Sequence, residues 1–170
     1  GCEGDDFWLD SKKIAIQLGA LDEFPTFNSC THNFFQLDYE NFSLTPQYQK
    51  KSPKIEPAVD LQYVKRLLWL PTLVFRRNFS VLPPELFATI SGDYLLTSYL
   101  GNFGDNIHLS SLLGSVYRKN PFSVWNPLSE AEKNRLRWKA RYAVHCLNLR
   151  LGNQLACRLN KAIMDQIPVE

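Results

Sequence analysis

The last quarter of the chain, Asn126 to Ile167, most constrains the fold, because its residues ask for a long helix with one face buried. Ser129-Glu130-Ala131-Glu132 after Pro127 reads as a capping box, in which the Ser hydroxyl accepts a helical N–H and Glu132 reaches back to the Ser backbone. Leu136, Ala140, Ala143, Leu147, Leu151, Leu155, Leu159 and Ala162 then recur at steps of three and four, along one face. Pro168 ends the run. Gly152 interrupts it, and a helical glycine costs about 1 kcal/mol relative to Ala, so the alternative is two helices meeting there. Unbroken, the helix runs roughly 35 to 38 residues and exceeds the diameter of a small domain.

The same stretch carries much of the positive charge. Residues 1–60 have a net charge of −5, residues 61–129 of +3 and residues 130–170 of +4. Such a gradient suits an internal contact between acidic and basic parts, or an anionic partner. Lys133, Arg135, Arg137, Lys139 and Arg141, with Trp138 and Tyr142 among them, combine cations for phosphates with rings for stacking. At 100° per residue Arg137 and Arg141 lie on one flank and Arg135 and Lys139 on the other, so the competing reading is two solvated flanks covering apolar surface. Lys50, Lys51 and Lys54, in the proline-bounded stretch 46–57, form a candidate exposed basic loop.

Upstream, the pattern predicts an α+β fold within a single domain, 1–170, with a mixed strand/helix part in 1–82 and a helical part in 83–170. A small antiparallel sheet is expected from residues 12–18, 33–45 and 72–82. Ile14, Ile16 and Leu18 alternate in the first; a phase slip near Glu40-Asn41 suggests a bulge in the second; Leu73, Phe75, Phe79 and Val81 share a face in the third. Arg77 falls on that apolar face, with Asp38 or Glu40 as a possible mate. Helices are expected over 57–69, 85–90, 94–100 and 107–117, with Asp93 and Asp105 or Asn106 as N-caps.

The longest apolar stretch, Leu67 to Phe75, is too short to span a bilayer. Cys2, Cys30, Cys146 and Cys157 are too few and irregular for a disulfide scaffold, which points to reduced thiols in an intracellular, cytoplasmic setting. On one helix Cys146 and Cys157 would stand roughly 16 Å apart, beyond bridging. Gly1-Cys2 reads as a cloning remnant before an acidic terminus, with lipid anchorage through Cys2 as the alternative.

Cys30-Thr31-His32 and His145-Cys146 are the nearest thing to a zinc site, but lack the usual ligand spacings, so no metal or cofactor is expected. His145, Cys146 and His108 read as helix-face, surface or cap-side residues. No nucleophile elbow, zinc-protease motif or phosphate loop occurs; Asp38, Glu40, Asp93 and Asp105 supply carboxylates that read mostly as caps or strand-face residues. Leu82-Pro83-Pro84-Glu85-Leu86-Phe87-Ala88-Thr89-Ile90 resembles the opening of an F-box, the helical motif that docks substrate adaptors onto a ubiquitin ligase. That resemblance implies an adaptor role and covers nine residues. The reading that follows is a non-enzymatic binding or regulatory protein engaging RNA, DNA or an acidic protein through the basic helix, with helix-mediated self-association open. A small enzyme with a pocket between sheet and helices is the rival.

Overall fold

The computed structural model describes residues 4–47, 54–89, 91–120, 123, 125 and 127–168, with Lys54 described by its backbone alone. The fold is α+β and falls into two compact units, each woven from three stretches of chain. The sheet unit takes 1–56, 68–76 and 105–127; the helical unit takes 57–67, 77–104 and 128–170. The sheet and helical parts therefore do not divide at residues 82 and 83.

The sheet unit holds six strands in a mixed sheet, not an antiparallel one. They are β1 (Phe7–Trp8), β2 (Phe27–Asp38), β3 (Ser43–Gln47), β4 (Lys54–Glu56), β5 (Val74–Phe75) and β6 (Asp105–Lys119). The order is β1-β6-β2-β3, with β4 on β6 and β5 on β2, and the central β2/β6 pair is parallel.

The expected helix over 107–117 is thus a strand. Its helical appearance comes from Leu109, Leu112, Leu113 and Val116, which stand at i, i+3, i+4 and i+7. The register jumps from His32↔Leu109 to Asn33↔Leu113, so irregular residues between those pairs imitate the helical period. The slip near Glu40-Asn41 is a hairpin turn with Phe42 at φ 48°, bringing Ser43 opposite Asp38.

Two expected strands change type or shrink. Residues 13–18 begin a helix, α1 (Lys13–Glu23), which buries Lys13, Gln17 and Leu21 at steps of four while Ile16 and Leu18 stay exposed. The alternation of apolar residues misled because α1 turns polar side chains inward. Gln17 donates to the carbonyls of Cys30 (2.9 Å) and Thr72 (2.8 Å), tying α1 to the sheet beside the cluster of Leu21, Phe27, Cys30 and Ile107. Of 72–82 only Val74–Phe75 is strand; Arg77 is exposed, and Asp38 pairs with Lys119 at 3.1 Å.

In the helical unit, α2 (Ala58–Gln62), α3 (Gly92–Leu100), α4 (Glu130–Arg150) and α5 (Gln154–Met164) enclose Val64, Leu95, Ala143, Val144 and Leu147. The expected 57–69 helix stops at Gln62. Val64 enters the left-handed region at φ 51°, and Val64 and Lys65 donate to the carbonyls of Leu61 (2.9 Å) and Asp60 (2.8 Å), closing the helix with a Schellman turn. Gly101 lets α3 meet α2, since a Cβ there would lie 2.7 Å from the Ala58 carbonyl oxygen. The F-box-like stretch contains a 3₁₀ turn, Pro84–Ala88, with Phe87 exposed.

The single long helix is two. Gly152, at φ 76°, occupies the position after the C-cap of α4, and its N–H and that of Asn153 return to Leu149 (3.1 Å) and Asn148 (2.9 Å). α5 folds back, with the Cys157 thiol 3.9 Å from the His145 carbonyl, so the roughly 16 Å separation expected of Cys146 and Cys157 on one helix does not apply.

Candidate functional site

The capping box at the start of α4 is formed: Ser129 N–H donates to Glu132 at 2.8 Å, and Glu132 N–H to Ser129 Oγ at 3.3 Å. From that start the phase of α4 is fixed by its buried residues, Ala140, Arg141, Ala143, Val144, Leu147 and Asn148. Arg135, Trp138, Lys139 and Tyr142, at i, i+3, i+4 and i+7, fall within a strip about 100° wide on the other side. Trp138 and Tyr142 stack with centroids 5.4 Å apart and planes 7° from parallel. Arg135 and Lys139 lie together along one side of them, both exposed, with no ion pair among the described residues.

The opposite flank is otherwise engaged. Lys133 pairs with Glu130 at 3.1 Å; Arg137 lies 3.5 Å from the same carboxylate and donates to Asn134 at 2.8 Å. Arg141 is the clear correction to the set of contact residues. It is buried, donating to the carbonyls of Tyr63 (2.5 Å) and Val64 (2.8 Å) and to Asn160 Oδ1 (3.1 Å), with its guanidinium over the Tyr94 ring. A guanidinium on the carbonyls of the two residues that follow α2 stands at the negative end of that helix, which gives the buried charge a partner without a carboxylate. Lys50 and Lys51 lie outside the described residues, as does the side chain of Lys54, whose backbone opens β4.

The sequence reading passed over a polar ladder inside the sheet unit. Asn106 Nδ2 donates to Glu56 Oε2 and to Thr31 Oγ1, both at 2.9 Å; the Thr31 hydroxyl donates to His108 Nδ1 (3.1 Å); His108 Nε2–H donates to Asn33 Oδ1 (3.1 Å); Asn33 Nδ2 donates to the Ser110 carbonyl (2.6 Å). Each donor follows from the last, which sets the His108 tautomer. His108 is therefore a buried strand residue and not a surface one. The ladder cross-links β2, β4 and β6 and fixes their register. Thr31 and Asn33 in alternation on a strand, and Asn106 and His108 on another, are the sequence signal: polar residues at period two on strands too apolar in their flanks to be exposed.

On the other face His32 is buried, its Nδ1–H donating to the Asn33 carbonyl at 2.6 Å while Nε2 has no partner. Burial pushes its pKa down to about 4, against the bond to the Asn33 carbonyl and with help from the Lys13 charge. Burial likewise lifts the Cys30 thiol to about 11, away from ligand or nucleophile chemistry. No three His, Cys, Asp or Glu side chains among the described residues cluster as metal ligands.

Asp93 sits in the first turn of α3, where Ser91 is the N-cap; its carboxylate accepts the Tyr94 N–H at 2.9 Å. Burial raises its pKa, with the backbone bonds acting in the opposite direction. A desolvated carboxyl is what general acid or base chemistry uses.

No protein-family model matches the chain. Uncharacterized proteins of Mycobacterium bovis and of two strains of Mycobacterium tuberculosis are each 25% identical to it over 127 residues, or 74% of this chain and 35% of theirs. The chain thus spans about a third of the length of the curated relatives it matches. No described helix is long and apolar enough to cross a membrane.

Proposed function

We propose that this chain is a binding protein whose α4 strip of Arg135, Trp138, Lys139 and Tyr142 engages single-stranded nucleic acid. The observation that carries this reading is the stacked Trp138–Tyr142 pair with two exposed cations along one side of it. Rings provide a platform on which a base stacks irrespective of its identity, and the cations beside it meet the phosphates of the strand. Arg137 and Lys133, drawn to Glu130, contribute less.

Titration of labelled single-stranded RNA and DNA at two salt concentrations tests the reading. The W138A/Y142A variant is expected to bind about tenfold more weakly or worse, and R135E/K139E to flatten the salt dependence by about two units of slope. Absence of binding at low salt removes the proposal. Binding of an acidic peptide in place of oligonucleotide, lost in R135E/K139E alone, reassigns the strip to a protein partner.

Asp93 favours a second reading, an enzyme in which that carboxyl transfers a proton. A carboxyl resonance titrating above the ordinary Asp range by NMR, and absent in D93N, is the expected result. A value at or below that range leaves Asp93 as a first-turn helix carboxylate.

A further inference from the structure

We propose that the outward face of α5 docks on an anionic lipid surface. Leu155 and Leu159, one turn apart on α5, remain 53% and 36% exposed. Ala156, Cys157, Asn160 and Met164, on the other side of the helix, are buried. α5 therefore hides small and polar residues and offers its leucines to solvent. The inversion has a local cause: Asn160 Nδ2 donates to the Arg141 carbonyl at 2.8 Å while Asn160 Oδ1 accepts from the Arg141 guanidinium, which locks that side of the helix against α4.

Charge and area select the occupant. Arg158 and Lys161 are exposed on α5, and Asp165 is the one acidic residue described after Glu132, itself paired with Lys161 at 3.0 Å. The leucines are thus bordered by net positive charge, which suits anionic headgroups. A second copy of the chain fits less well, because two part-exposed leucines make up only a small part of the ~800 Å² that each partner buries in a stable interface. A helix lying in a membrane interface needs only shallow entry of its apolar side together with headgroup attraction. The α4 strip plays no part in this docking.

The test is co-sedimentation of the purified 170-residue chain with vesicles of phosphatidylcholine alone and of phosphatidylcholine with phosphatidylglycerol in equal parts. The chain is expected to pellet with the anionic vesicles and about tenfold less with the neutral ones. The L155S/L159S variant should lose about tenfold or more of that binding with an unchanged circular dichroism spectrum, since both positions are solvent-facing. R158E should weaken binding to the anionic vesicles, and W138A/Y142A should leave it intact. No pelleting with anionic vesicles overturns the proposal, as does equal binding by L155S/L159S. A dimer in sedimentation equilibrium that L155S/L159S abolishes, without vesicle binding, also overturns it and assigns the stripe to a second copy.

Discussion

Replacing Arg141 by Met is expected to destabilise the helical unit by about 3 to 5 kcal/mol, the low end of roughly 1 to 3 kcal/mol for each buried acceptor left without a donor. Three acceptors lose their donor at once: the Tyr63 and Val64 carbonyls and Asn160 Oδ1. Two of them terminate α2, where Val64 holds a left-handed conformation that β-branched residues rarely adopt. The guanidinium thus supports a strained turn as well as satisfying it. Arg141→Lys should recover part of the loss, because an ammonium keeps the charge but cannot fork between carbonyls. Urea denaturation followed by far-ultraviolet circular dichroism measures this, with R135M as reference at within about 0.5 kcal/mol of wild type. Equal costs for R141M and R135M would remove the structural role.

The second large effect is a loss of stability in mild acid traceable to His32. The ring is neutral in the folded chain, with a pKa of about 4, whereas an unfolded histidine titrates near 6.5. Between those values the unfolded state binds more protons, so stability rises with pH through the window. It is fully present above about pH 6.5 and lost progressively down to about pH 4, a span worth about 3 kcal/mol for this one group. Burial is the main cause, reinforced by the nearby Lys13 charge. In His32→Leu the proton site is gone, so the stability difference between wild type and variant should change by about that amount across the window. A difference independent of pH would mean that the ring titrates as an ordinary exposed histidine.

Local chemistry was readable where it was self-contained. The Ser129–Glu132 box needs four adjacent residues, and the glycine that ends α4 could be seen as an interruption. What it did next was not visible: whether Gly152 bends a helix or starts a second one depends on Asn160 reaching Arg141, nineteen positions away. The basic cluster could be named but not divided, because the helical wheel gives the flanks and not which flank faces the core. Arg141 is inside because α2 ends beneath it. The α+β class was legible, while β6 was not: its irregular register against β2 imitated a helix, and its neighbour in the sheet lies some seventy-five residues earlier. The ladder from Glu56 to Ser110 and the inward-facing Lys13 and Gln17 share that cause, as polar side chains inside a fold are placed by partners distant in sequence.

The parallel pairing of β2 with β6 also sets an order of events during folding. Thr31 and His108 are bonded across 77 positions, and the helical unit's first two segments both lie in the intervening chain. β2 therefore has to wait for its central neighbour until residues 105–119 have been synthesised, and meanwhile its twelve residues present an open edge on that side. Non-local pairing of this kind makes the sheet the slow step and α4 with α5, joined by a tight turn, the fast one. The stretch most exposed to misassembly is consequently Phe27 to Asp38, although in the finished molecule it is among the best covered.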